Sequence, residues 1–319
     1  MSSISKKGMT IRDVILGYGI YIAFVIICII FAILNPKFLT IGNFSNVMIQ
    51  TSVIAICAIG QTIVIFTGGI DLSVGALIGS TGILIGVFAS KGVGILGLIC
   101  IGLGVGFVVG LVNGFLIGYV RIPAFITTLG VQGCCLGTSL VLSQGRPFST
   151  YPKGWDWMGT GKIGGIPFLI LITVTLYLIV WLFSQRTQTG RYIYSIGGNR
   201  EAVRLSGINV AKNEMIAYLV CSLLASISGI MLVSRLNFAS PTAGTGYELE
   251  SIAAVVIGGT MMAGGSGSVL KTIIGAILLF VLKNGLTLNN VSPYYQQLVT
   301  GLIIILAVFL DTLKNKKKV

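Results

Sequence analysis

From Val14 to Leu34 the chain runs through apolar residues without one charge. About 20 such residues are what a helix needs to cross the hydrocarbon core of a bilayer. The run is too long for the core of a signal peptide, and no small-residue cleavage site follows it. It therefore reads as a retained span, ended by Asn35-Pro36. Further apolar stretches follow at Val47–Thr67, Val74–Ser90, Val93–Val120, Ala124–Ser143, Ile166–Phe183, Met215–Ser234, Ile252–Ala263, Val269–Leu288 and Leu298–Asp311. The eighth is weak and broken by glycine. A polar segment, Gln144–Gly165, and a basic one, Gln185–Glu214, interrupt the series. The expected fold is all-α, a polytopic membrane bundle of about ten helices. Composition agrees: 55% of residues are hydrophobic and 9% charged, against roughly 25% charged in soluble domains. A soluble enzyme, a disordered chain and a fibrous repeat are excluded.

Ten spans place both termini on one side, and the positive-inside rule chooses the side. With both ends cytoplasmic, the inner set is Lys6, Lys7, Arg12, Arg121, Arg186, Arg191, Arg200, Arg204, Lys212, Lys271, Lys314, Lys316, Lys317 and Lys318. The outer set is Lys37, Lys91, Arg146, Lys153, Lys162, Arg235 and Lys283. The excess supports the arrangement with both termini cytoplasmic. It also explains the net charge of +13 by topology and lipid contact, without nucleic acid.

The chain has no His and eight acidic residues. His-based catalysis and His-ligated metal sites are excluded, and no metal site is expected. The six cysteines lie in apolar runs and read as small, reduced, buried side chains. No G-x-x-x-x-G-K-[ST] occurs, so this chain has no phosphate-cradling loop of that kind. No potassium-filter sequence and no arginine-rich voltage helix is present.

A weak internal repeat is visible. Asn113-Gly114, Val120 and Gly130 recur 171 positions later as Asn284-Gly285, Val291 and Gly301. Pro123 recurs as Pro293, displaced by one. The expected organisation is one transmembrane domain over 1–319. Its halves are 14–143 and 166–311, with the basic segment 185–214 between spans and a basic tail 312–319. Five spans per half would invert one half against the other, a common construction of transporters.

Three segments stand out. The first, GGIDLSVG (68–75), carries Asp71 and Ser73. A carboxylate in a bilayer must face a cavity or a partner. It reads either as a path or gate element or as a cap for the next helix. The second is a ladder, Gly102, Gly106, Gly110, Gly114 and Gly118, which lets helices approach closely. Packing within the bundle and a homodimer seam both fit it. The third is GRYIYSIGGNREAVRLSGI (190–208). Asn199 suits an N-cap, Arg200 to Ser206 two helical turns, and Gly207 a C-terminal stop. Glu201 and Arg204 can pair at i, i+3. This is either an ordinary surface helix or a docking helix. Among minor candidates, Gln50 and Gln61 read as interhelical hydrogen-bonders and Lys283 as a snorkelling lysine. Glu248, Glu250 and Lys271 complete the set. Tyr151, Trp155 and Trp157 read as interfacial anchors in preference to partner contacts.

Four stretches in order resemble the membrane permease subunits of ribose-type ABC sugar importers. They are GGIDLSVGALIG (68–79), RIPAFITTLG (121–130), GRYIYSIGGNREAVRLSGI (190–208) and AAVVIGGTMMAGGSGSVLKTIIGAILLFVLKNGL (253–286). Branched-chain amino-acid permeases share the fold class but differ at the first stretch. The resemblance implies a second permease copy, expected as a homodimer, and two ATP-binding subunits that carry ATP and Mg. It implies an extracytoplasmic sugar-binding protein, and no cofactor or covalent chemistry in this chain. Gly197, Gly198, Asn199, Glu201, Ala202, Arg204 and Gly207 match the family's coupling segment. Arg200 stands where an acidic residue is common, Lys283 where a small or polar one is, and Lys271 where Gly is. Gln61, Asp71, Ser73, Asn113, Glu250 and Asn284 are the expected path or gate residues. An ion-coupled secondary transporter, or a structural membrane protein, would leave the 190–208 segment without a task.

Overall fold

The computed structural model describes residues 11–315. Lys6, Lys7, Lys316, Lys317 and Lys318, assigned above to the inner side, lie outside the described residues, as does the rest of the basic tail beyond 315. The chain is a helical bundle. Its helices are α1 (Ile11–Leu34), α2 (Ile41–Phe66), α3 (Val74–Ala89), α4 (Ile95–Gly118) and α5 (Ala124–Ser143). They continue with α6 (Trp157–Thr160), α7 (Phe168–Arg186), α8 (Gln188–Gly198), α9 (Arg200–Leu205) and α10 (Val210–Leu236). The last three are α11 (Tyr247–Ile257), α12 (Val269–Leu288) and α13 (Pro293–Asn315). The strand content among the described residues is a two-residue hairpin, β1 (Lys162–Ile163) against β2 (Ile166–Pro167).

Local chemistry sets the helix ends. Thr40 Oγ1 accepts from Asn43 N to open α2, and Thr187 Oγ1 from Gly190 N to open α8. Asn199 Oδ1 accepts from Ala202 N to open α9, and Asn209 Oδ1 from Lys212 N to open α10. Such caps satisfy amides that the helix itself leaves free. Pro123 and Pro167 precede α5 and α7, where their fixed φ enters a helix without loss.

At the centre α2 packs along α10, and both are largely buried although mostly apolar all round. A helix apolar on every face belongs inside a bundle or a membrane. Around them, α1, α4, α5, α7 and α13 turn large side chains outward, among them Ile33, Phe107, Ile126, Ile179 and Ile305. An apolar belt of this extent is stable against lipid tails. Six described helices are long and apolar enough to cross a membrane: α2, α4, α5, α7, α10 and α12. Shorter apolar helices lie at Phe24–Leu34, Val74–Ala89 and Pro293–Leu306.

The eighth stretch differs from expectation. It folds as α11, 11 residues ending at Ile257, about 16 Å long and too short to span alone. Gly258 and Gly259 end it, and a non-helical loop runs to Ser268. The glycine ladder lies against α10. A β-carbon at Gly102 would collide with Ile230, at Gly110 with Leu219, at Gly114 with Met215 and at Gly118 with Ala211; at Gly106 it would meet Ser226. The ladder face is filled by α10, and the homodimer-seam alternative loses that surface.

One aromatic expectation changes. Trp155 is fully buried and stacks on Tyr151 at 5.7 Å, and its carbonyl accepts from Ser234 Oγ. It is a core residue, because the 144–167 connection folds back onto the end of α10. Trp157 remains exposed. All six cysteines are free.

Candidate functional site

The bundle has two ends. One carries α8, α9, the start of α10 and the end of α2. The other carries the β1–β2 hairpin and the end of α10. Two helices begin inside the bundle, away from both. After α2 the chain turns at Gly68-Gly69, and α3 then runs about 24 Å toward the hairpin end. After α10 the chain re-enters through Ala239–Gly246 and lies along α3. Ala239 faces Gly82, Pro241 faces Gly79, and Gly244 faces Gly75. There α11 begins and runs toward the α9 end. The first turns of α3 and α11 therefore meet in the interior, with their free N–H groups and positive dipole ends converging. Broken helices whose N-termini meet in mid-bundle build solute sites in transporters.

Four of the six expected path residues gather beside this point. Gln61, Asp71, Ser73 and Asn113 are each fully buried. Asp71 Oδ1 accepts from Ser73 N at 2.8 Å and Ser73 Oγ at 2.5 Å. This turn precedes α3, whose N-cap Ser73 makes no side-chain cap bond to the helix, so neither Asp71 nor Ser73 forms the expected cap and Asp71 stands at the site. Asn113 Nδ2 reaches from α4 to donate to Ser73 Oγ at 2.9 Å. The Gln61 amide of α2, oriented donor to acceptor, holds both backbone groups of Asp71: its nitrogen donates to Asp71 O at 3.2 Å and its oxygen accepts from Asp71 N at 3.1 Å. The remaining oxygens, Asp71 Oδ2 and Asn113 Oδ1, have no protein partner.

The other two pair elsewhere. Asn284 exchanges two amide hydrogen bonds with Asn43, at 2.9 and 2.8 Å, tying α12 to the first turn of α2. Glu250 forms an ion pair with Lys283. Lys283 thus points to a carboxylate on α11 and does not snorkel outward. Glu248, in the first turn of α11, sits much nearer the meeting point: its carboxylate lies over Gly75, where a side chain would displace it. Two carboxylates two residues apart at a helix start were the available sequence signal, but only the fold separates their surroundings. Gln50 is exposed, and Lys271 is exposed at the start of α12.

The 190–208 segment forms two helices. In α8, Ile193 and Ile196 are buried, and Tyr194 stacks on Phe66 with ring centres 4.0 Å apart. The Tyr194 hydroxyl donates to Gly267 O, and burial pushes the phenol up to about 12, so it stays a neutral donor. In α9, Glu201 and Arg204 form a two-pronged pair at 2.6 and 2.9 Å, both exposed. The Arg204 hydrogen bond holds the Glu201 carboxyl below the ordinary glutamate range. Gly207, at φ 77°, ends the helix in the left-handed region. Arg200 reaches back to Glu214 of α10 at 2.8 Å. Gly197 and Gly198 lie directly on Gly264 and Gly265 of the α11–α12 loop and on the last turn of α2. Gly265 N donates to Phe66 O at 3.1 Å across this contact. Three of the four recognised stretches therefore meet at one backbone-to-backbone junction.

Comparison with known proteins finds relatives along most of the chain. A family model described as branched-chain amino acid transport system / permease component covers residues 43–308. The ribose import permease protein RbsC of Escherichia coli (strain K12) is 45% identical over 93% of both chains. The corresponding ribose protein of Bacillus subtilis (strain 168) is 40% identical over 97% of both. The galactose/methyl galactoside import permease protein MglC of Salmonella typhimurium is 36% identical over 94% of this chain and 95% of its own. No solved structure matches. With most of its length matched both by the family model and by close relatives, the chain is a multi-pass membrane protein belonging to the branched-chain amino acid transport system / permease component family.

Proposed function

We propose that this chain is the translocation subunit of an ATP-driven ABC importer for a monosaccharide or related small polar solute. The observation that carries the reading is the junction of Gly197 and Gly198 with the end of α2 and the α11–α12 loop. It connects an exposed helix, α9, to both segments that lead to the broken-helix site. Movement of α9 by an ATP-binding subunit would reach α2 and α11 through backbone contacts that have no side-chain slack. The relatives named for ribose, D-allose and galactose support a sugar as cargo.

In this reading ATP and Mg are held by two ATPase subunits that dock on Gly197–Gly207. An extracytoplasmic binding protein delivers the sugar, and a second copy of the permease completes the path. Both termini are cytoplasmic, and the membrane is the bacterial plasma membrane. The bounds of α2 to α5 support the inverted repeat. Shifted by 171 they become 212–237, 245–260, 266–289 and 295–314, close to α10, α11, α12 and α13. The chain performs no covalent step. Its polar groups offer weak, replaceable hydrogen bonds to a solute whose affinity resides in the binding protein.

The test is purification in mild detergent from the native membrane. A stoichiometric ATPase should co-elute. Replacing Glu201 and Arg204 together by alanine should remove it while the permease stays monodisperse. Wild-type protein that carries no ATPase, yet moves solute in vesicles under an ion gradient alone, would establish a secondary transporter instead.

A further inference from the structure

Between α3, α5 and the re-entrant segment before α11 lies a cavity of about 280 Å³. It is slightly smaller than the roughly 300–1,000 Å³ sites of drug-sized ligands, a size suited to a small solute. Ala76 and Leu129 give it apolar wall, and Gln132, Thr245 and Glu248 give it polar wall. Gly133 opens it further, since a β-carbon there would meet nothing within 4 Å. Glu248 is nine-tenths buried. Its Oε1 accepts from Gly246 N at 3.3 Å, while Oε2 has no protein partner. Leaving a buried carboxylate oxygen unpaired is costly, and a fold keeps such a group only where something repays it. Gly75 repays part: its missing side chain lets the carboxylate settle on the first turn of α3, where the helix dipole favours negative charge. The oxygen lying over Gly75 is Oε2 itself, and no hydrogen bond from the protein reaches it there.

We propose that this cavity is a contact site for the transported sugar, with the Glu248 carboxylate accepting from sugar hydroxyls and Gln132 and Thr245 completing the set. The inference rests on the sugar-importer reading above. A polyhydroxylated ring matches the walls: its hydroxyls donate to a carboxylate and exchange hydrogen bonds with an amide and a hydroxyl, and its C–H faces lie on Ala76 and Leu129. The placement matches too, because Glu248 sits in the first turn of the broken helix α11, between the two ends of the bundle. One acceptor at mid-path gives brief binding, which a solute in transit requires.

The experiment uses the assembled complex of permease, ATPase and binding protein in proteoliposomes. Radiolabelled D-ribose, D-allose and D-galactose serve as probes, and sugar imported is measured per ATP hydrolysed. In Glu248→Ala the ratio should fall on the order of tenfold, the loss of a hydrogen bond to a charged group. Glu248→Asp should restore part of it. An unchanged ratio in Glu248→Ala overturns the proposal. So does a variant in which uptake and hydrolysis fall in parallel. A second measurement is independent of the Glu248 variants. Gln132→Cys, in a background with Cys134→Ser, should react with a charged thiol reagent during turnover, and uptake should stop. A residue facing lipid or a closed subunit contact would not react, and that result also overturns the site. If the wild-type complex imports none of the three sugars although its ATPase is present, the sugar reading itself fails, which is distinct from failure of the Glu248 site.

Discussion

A β-carbon at Gly197 would collide with the carbonyl oxygen of Phe66. That carbonyl already accepts from Gly265 N, so α8, the end of α2 and the α11–α12 loop share one close contact. Gly197→Ala should push these backbones apart. Overpacking at a backbone contact costs about 1–3 kcal/mol. The expected result is normal membrane insertion with sugar-stimulated ATP hydrolysis strongly reduced. Hydrolysis and uptake assays on the purified complex check it. Gly198→Ala, where no atom lies within 4 Å of the added carbon, should be much milder.

The glycine ladder gives a contrast within the same membrane. Gly110→Val must fit against Leu219, and we expect a destabilisation of about 1–3 kcal/mol. Gly130→Ala and Gly137→Ala on α5 meet open space and should leave stability unchanged or slightly raised, because alanine is the better helix former. Thermal midpoints in one detergent would compare them.

Gln61 and Asp71 should behave as a unit. Gln61→Leu removes both bonds to the Asp71 backbone, and Asp71→Ala removes the acceptor of Ser73 N and Oγ. Each should cost about 1–3 kcal/mol. The double variant should cost less than the sum, since the two hold one turn. A double-mutant cycle on unfolding or on uptake reads the coupling.

The Glu250–Lys283 pair lies mostly out of solvent. Removing one charge leaves the other without compensation. Lys283→Met should therefore lower the thermal midpoint more than Lys283→Met with Glu250→Gln. Rescue by the second change identifies the pair; equal loss in both would mean that Lys283 matters by its packing on Phe280.

The pH response of α9 follows from its pair. Glu201 has its folded pKa lowered by Arg204, so its contribution is fully present above the ordinary glutamate value and is lost as pH falls through the depressed one. Arg204 is shifted upward and stays charged throughout. With the ATPase docked on α9 as proposed above, co-elution should thus be insensitive to pH from about 6 to 8 and weaken only in acid. Co-elution at a series of pH values tests this.

What was legible in the sequence was local. Asn199 and Gly207 fixed the ends of α9 because a cap needs a side-chain oxygen and a stop needs a left-handed backbone. The Glu201–Arg204 pair followed from helical spacing. The ladder was visible as spacing, but its partner α10 was not, because a small-residue stripe fits any close neighbour. Trp155 read as an anchor because loop aromatics usually face the interface; here its loop closes over Ser234. Asn284 mirrored Asn113 in sequence, yet the two have different partners, Asn43 and Ser73. A repeat aligns backbones and leaves side-chain partners free to diverge.

By itself the sequence determined that the chain enters lipid many times, because apolar runs of that length have no other stable solvent. It also determined the family, through four ordered motifs. Tertiary structure alone decided that α3 and α11 begin inside the bundle, that Gly75 makes room for Glu248, and that Gly197 rests on Phe66. These are contacts between residues more than a hundred positions apart. The missing side chain that permits each one leaves no mark in the sequence beyond one more glycine among 44.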